Sequence, residues 1–370
     1  MSITSSHFDR IIIGSSPICL LEAIYSNSRG LKTGIVDDAT ELGGAWKRLK
    51  SENEIFKNVE IGCHIFEKDK KVFDFLRKIL HLQLKEMEPQ PKVIFKNKPI
   101  PYNIKNFLFL FRNFKSYFTY KHNIKQLVYD LGIFLKEIYW FNLKYYNFQK
   151  ESITFINKLI HEFNQRNISV MLSTQITSLN VNNPDKTIEL QTAKGESIKT
   201  NKLTITYNSN LNKISIDGQD NTAILQRKNY EFKHLHLFIK DNKMKNISYW
   251  RIFNNEAIHR VSDMTRQIEA KEDEHLICIG IFNTFLQGKT EDVAIREIII
   301  LLKSMKLISD SCHIIQTSFN SYAGYYTDYY DLKHIETKTN NLIEVLYTLD
   351  ITGGIKKNLF KYNTVQYSTN

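Results

Sequence analysis

The sequence predicts an α/β protein in which a parallel βαβ lobe is interleaved with a second lobe of antiparallel strands carrying a helical insertion. Three observations predict it. The first is an N-terminal order of apolar strand, glycine turn, helix and second strand ending in acid, from Phe8-Asp9-Arg10-Ile11-Ile12-Ile13 to Thr33-Gly34-Ile35-Val36-Asp37-Asp38. The second is a later succession of helix, strand, β-meander and returning strand between Ser152 and Tyr207. The third is that no stretch rich in Pro, Gly or Ser separates the two parts, so the lobes share the chain in alternating segments.

The N-terminal unit has the order of a Rossmann-like dinucleotide site, whose turn carries the pattern G-x-G-x-x-G. Here that pattern reads Gly14-Ser15-Ser16-Pro17-Ile18-Cys19. Gly14 keeps the tight turn, where positive φ is needed. Ser16 stands where a glycine would let phosphate approach the backbone, and serine is also a good N-cap. Pro17 falls at the first helical position, where its fixed φ helps and its missing N–H costs nothing. Cys19 replaces the glycine of close helix–strand packing with a small thiol. Asp37 and Asp38 follow about 20 residues on, where a carboxylate accepts ribose hydroxyls. Gly43-Gly44-Ala45-Trp46 come next. The candidate ligand contacts are therefore Gly14, Ser15, Ser16, Asp37, Asp38, Gly43, Gly44, Ala45 and Trp46. The competing reading is a βαβ unit that kept its shape and lost its ligand.

A chain of 370 residues can bury a large core, and 42% hydrophobic content with 6 prolines excludes a disordered chain. Cys19, Cys63, Cys278 and Cys312 show neither a CxxC pair nor metal spacing, and read as reduced core thiols of a cytoplasmic protein. Met1 to His7 is short and polar, with no signal sequence, and no run reaches membrane-spanning length. The net charge of +11 suits an anionic ligand or an acidic surface. Nucleic acid is excluded as a partner, because the basic residues are dispersed and no binding motif is present.

Along the chain, Lys71 to Leu84 carries apolar residues at helical spacing, and Lys92 to Pro101 reads as a hairpin. His64 falls on a loop closing the first lobe segment, where an ordinary loop or core histidine is the plainer alternative. Tyr102 to Phe148 reads as a helical block dense in aromatic and basic residues, among them Phe107, Phe109, Arg112, Lys115 and Tyr117. Such a block can form its own small core, line a substrate, or touch a membrane surface or protein partner. Ser152 to Asn164 is an amphipathic helix. Strands follow at 168–172, 175–181, 187–192, 197–200 and 202–207, then at 234–239, 247–253, 258–263 and 276–281. Asp292 to Met305 is a further helix. Near the end, Val345 to Asp350 reads as a strand, and Gly353-Gly354 open a last helix. Free amides at such a start bind anions, which makes Thr352, Gly353, Gly354 and Ile355 further ligand candidates.

With these pieces placed, the chain resembles the FAD-binding flavoproteins grouped with amine oxidases and UDP-galactopyranose mutase. The resemblance rests on Asp37 and Gly43-Gly44 at their spacing, and on Gly62-Cys63-His64-Ile65-Phe66, similar to the mutase G-x-H-I-F. It extends through Pro99-Ile100, Ile104 to Phe107 and Ile258-His259-Arg260-Val261-Ser262, and through the meander from Ile168 to Tyr207. Two fingerprint glycines are replaced, Gln149-Lys150-Glu151 stand where relatives pair glycines, and the late arginine–glycine segment has no match. The resemblance implies FAD as cofactor, and His64 and Arg260 as catalytic residues. It implies an FAD-binding domain from 1–66, 150–210 and 335–370, with a substrate domain from 67–149 and 211–334. It also implies redox or flavin-assisted chemistry on a small organic or nucleotide-sugar substrate. The alternatives are a non-catalytic accessory or binding protein on the same fold and a nicotinamide-dependent reductase.

Overall fold

The computed structural model describes residues 7–46, 49, 55–56, 59–62, 66–82, 84–87, 92–95, 98–101, 145–148, 153–225, 228–244, 249–253, 255–326, 329–348 and 351–368. In chain order its elements begin with β1 His7–Ile13, α1 Pro17–Ser28, β2 Thr33–Val36, β3 Phe66–Glu67, α2 Lys70–Ile79, β4 Leu84–Met87, β5 Lys92–Phe95 and β6 Lys98–Pro101. There follow β7 Tyr145–Phe148, α3 Ile153–Asn164, β8 Ser169–Met171, β9 Ile176–Asn182, β10 Thr187–Thr192, β11 Ser197–Thr206, β12 Lys213–Ile216 and β13 Gln219–Asp220. The chain continues through β14 Lys228–Lys240, β15 Tyr249–Phe253, β16 Ile258–Asp263, β17 Glu274–Ile281 and α4 Glu291–Ser304. It ends with β18 His313–Tyr326, α5 Tyr329–Lys338, β19 Ile343–Leu346 and α6 Ile351–Tyr362.

Five strands in the order β8-β2-β1-β11-β19 run parallel and form the centre of the larger sheet. Strands buried on both faces read as continuous apolar runs, which is why Ile11-Ile12-Ile13 lie there, beside Leu203 and Ile205 with the buried Thr204 between them. Ile12 faces α1, α3 and α6 within one core, while Ile11 and Ile13 face the meander and α5 in another. The meander β9-β10-β11 is antiparallel and extends the same sheet. Where α1 and α6 cross behind β1, charges are buried together. Arg10 pairs with Glu22 and lies 3.3 Å from Glu344, and Lys361 lies 2.8 Å from Glu344 and 3.5 Å from Glu22.

The second sheet has the order β18-β14-β17-β16-β15-β5-β6. Alternation along β14 and β17 sends Leu235, Leu237, Ile277 and Ile279 to one face, against Ile298 and Leu302 of α4. The opposite face carries Phe238, Leu276 and Cys278, packed on Phe56, Val59 and Ile61 of the segment that leaves the first lobe.

Several sequence expectations change. The strands read at 197–200 and 202–207 are one strand, β11. Its first half pairs with β10 and its second with β19, so the polar Asn201-Lys202 step marks a change of partner instead of a turn. Tyr145-Tyr146, read as helical, lie in β7 between β3 and β4. The aromatic–basic stretch at 102–144 lies outside the described residues, as does His64. Among the described residues no helix is long and apolar enough to cross a membrane.

Candidate functional site

The β1–α1 turn is built around Gly14, whose φ is +105°. Ser15 is buried beneath it, 1% exposed, and its hydroxyl works in two directions. It donates to Asp37 Oδ2 at 2.5 Å and accepts the Gly43 amide at 3.2 Å. Gly43 N–H also reaches the Ser15 carbonyl at 3.0 Å, so the glycine pair is fastened directly to the fingerprint turn. Gly44 has φ +57°, and a Cβ there would stand 3.2 Å from Ser16 Cα, which explains glycine at this close approach. Trp46 closes the turn by packing edge-on against Phe155, with ring centroids 5.3 Å apart.

Asp37 sits at the carboxyl end of β2, tied by its own carbonyl to the Thr174 amide at 2.9 Å and by its amide to the Met171 carbonyl at 3.0 Å. Its Oδ1 accepts the Ala39 amide at 3.0 Å. Burial pushes the carboxyl above its ordinary value, and Asp38 adds to the rise, against the lowering effect of the Ser15 hydroxyl and Ala39 amide. Asp38 in turn accepts from Asn210 Nδ2 at 3.0 Å.

These groups open on a cavity of about 480 Å³ at the carboxyl edge of the parallel strands. It is lined by Gly14, Ser15, Ser16, Asp37, Asp38, Gly44, Ala45 and Trp46, eight of the nine N-terminal candidates. Gly43 lies behind them, held by Ser15. Sequence reasoning missed the opposite wall, which is Thr174-Gln175-Ile176, Thr206 to Asn210 and Thr348, with Phe232 and Ile61 at the side of the second sheet. The signal for Thr206 to Asn210 was the end of a buried strand entering polar residues. Only the parallel pairing of β11 with β1 brings that end to the fingerprint turn.

The donor set fits an adenine dinucleotide. A carboxylate offers about four acceptor positions, so Ser15 and Ala39 leave Asp37 able to take a ribose diol. Ser16 is the N-cap of α1 yet makes no side-chain capping bond, so the first-turn amides receive no cap from their own serine. Such amides with the helix dipole behind them suit a diphosphate.

The C-terminal candidates are placed otherwise. Helix α6 starts at Ile351, so Gly353 and Gly354 lie inside its first turn instead of before it. A Cβ at Gly354 would meet the Tyr347 carbonyl at 2.6 Å and Ile18 at 2.9 Å, so this glycine serves close packing of α6 on α1. Thr352 accepts the Glu67 amide at 2.8 Å, and Ile355 is wholly buried in the core. Thr352 to Ile355 do not line the cavity. Arg260 lies on β16 in the second sheet, its guanidinium 2.9 Å from His234 Nε2 and 5.9 Å from the Tyr249 ring centroid.

No family model matches the sequence, and no curated protein matches it. Solved structures do. A reduced UDP-galactopyranose mutase superposes with TM-score 0.64 at 11% identity, over 91% of this chain and 87% of that one. Wild-type putrescine oxidase bound to putrescine gives 0.63 at 12% identity, over 98% and 99% of the two chains. A protein assigned as a protoporphyrinogen oxidase from Exiguobacterium sp. gives 0.64 at 10% identity, over 99% of each. The chain has the fold of these amine-oxidase-like flavoproteins over nearly its whole length.

Proposed function

We propose that the chain is an FAD-dependent enzyme of the amine-oxidase and UDP-galactopyranose-mutase type. In this reading it acts by redox or flavin-assisted chemistry on a small organic or nucleotide-sugar substrate. The observation that carries this reading is the cavity in which the fingerprint turn, Asp37 and the glycine pair meet at the carboxyl edge of the parallel sheet. Bound there, FAD would supply the electron-transfer chemistry, and the protein's part is binding and orientation. Gly14 to Ser16 and the start of α1 would hold the diphosphate, and Asp37 the ribose. Arg260, kept in place by His234 and Tyr249, would pair with an anionic substrate group, and His64 is the second catalytic candidate.

A second reading, a non-catalytic binding protein on the same fold, is favoured by one observation: serine and cysteine replace glycines at positions 16 and 19. One preparation tests both. The purified chain is expected to be yellow, or to gain thermal stability when FAD is added. A colourless protein whose melting temperature does not respond to FAD would end the first reading. Flavin binding without turnover of amines or nucleotide sugars would favour the second.

A further inference from the structure

We propose that Cys19 is a positioning residue for the diphosphate of the bound dinucleotide. Its thiol keeps the Ser16 hydroxyl off the first-turn amides of α1 and so leaves those amides to the ligand. The inference rests on the dinucleotide reading of the cavity.

The first N–H groups of a helix have no intrahelical acceptor, and an N-cap serine ordinarily takes one with its side-chain oxygen. Ser16 does not. Its Oγ donates instead to Cys19 Sγ at 3.2 Å, and its backbone amide also meets that sulfur. The sulfur is wedged between the helix and the turn, 3.6 Å from where a Cβ on Gly14 would stand. Pro17 has no N–H, so the amides at stake are those of Ile18 and Cys19.

A serine free to rotate would compete with phosphate for these donors, whereas the usual glycine cannot. Cys19 removes that competition. It is wholly buried, and burial above all pushes its thiol up to about 12. The sulfur therefore stays neutral and sets no negative charge beside the diphosphate. Ser16 and Cys19, the two departures from the glycine pattern, thus act as a compensating pair: the second neutralises the side effect of the first.

Calorimetric titration of the full chain with ADP and with adenosine tests this, because only ADP carries the diphosphate. Cys19→Ala is expected to weaken ADP by about 5-fold, the strength of one serine cap, and to leave adenosine unchanged. Cys19→Ser, which keeps an acceptor, is expected to bind ADP as the wild type does. Ser16→Gly in the Cys19→Ala background is expected to restore ADP binding, since no hydroxyl then competes. Equal weakening of both probes, unchanged ADP affinity in Cys19→Ala, or a loss that persists without the Ser16 hydroxyl would each overturn the proposal alone. Wild-type protein that binds neither probe nor FAD would overturn the dinucleotide reading, and this proposal with it.

Discussion

Ser15 and Asp37, 22 residues apart in sequence, share a buried hydrogen bond in which the serine hydroxyl lies 2.5 Å from the carboxylate. The bond joins the fingerprint turn to the end of β2 before any ligand arrives. It also marks a cost, because the carboxyl is held above its ordinary value chiefly by burial.

Asp37→Asn is therefore expected to stabilise the ligand-free protein while weakening any ribose-containing ligand. A carboxyl raised on folding favours the folded state when protonated. Its contribution is full below the unfolded value of about 3.9 and is lost as pH rises through the folded value. Above that folded value the ionised group is a liability that asparagine removes, by about 1 kcal/mol. Thermal melts with and without FAD measure both effects. A lower melting temperature for the ligand-free variant would contradict this account of Asp37.

Gly14→Val is expected to abolish flavin binding. At φ +105° a branched residue is strained, and its side chain would meet Cys19 Sγ, 3.6 Å from the Cβ position. Fluorescence titration with FAD reads the loss, and retained binding would show that the dinucleotide lies elsewhere.

What the sequence disclosed follows from which signals are local. The β1–α1–β2 unit was legible because Gly14 and Pro17 punctuate apolar strands and each residue type has one favoured place there. The hydrogen bond from Ser16 to Cys19 was not, since periodicity predicts burial of a cysteine but not the direction of its sulfur. The part of the cavity wall from Thr206 to Asn210 depends on the pairing of β11 with β1 across the whole meander. The long strand β18 carries polar residues such as Gln316, Ser318 and Asn320, and only pairing with β14 identifies it. Gly354 packs α6 on α1, a use of glycine that the sequence pattern does not distinguish from anion binding.

Glu22→Ala is expected to cost about 3 kcal/mol, read from urea unfolding, because it leaves the buried Arg10 guanidinium without its nearest partner. Burial and the neighbouring Glu344 raise the Glu22 pKa, against Lys361 and Arg10, which lower it. Replacing both partners, as Arg10→Met with Glu22→Leu, is expected to cost less than the single change. A double variant less stable than Glu22→Ala would show that the pair stabilises the fold on its own account.

His236 is wholly buried on β14, with the Glu60 backbone beside its ring. Burial first, and then the Arg260 guanidinium, hold its pKa at about 3. The unfolded imidazole takes a proton near pH 6.5 while the folded one does not, so stability falls as pH drops below about 6.5, down to the folded value. His236→Leu removes the buried polar ring beside the Arg260 guanidinium, and with it that proton uptake. The variant is expected to be about 1 kcal/mol more stable at neutral pH, and to lose less stability than the wild type between pH 7 and about 4. Unfolding curves across that range decide it, and parallel pH profiles for the two proteins would rule out a neutral buried imidazole at this position.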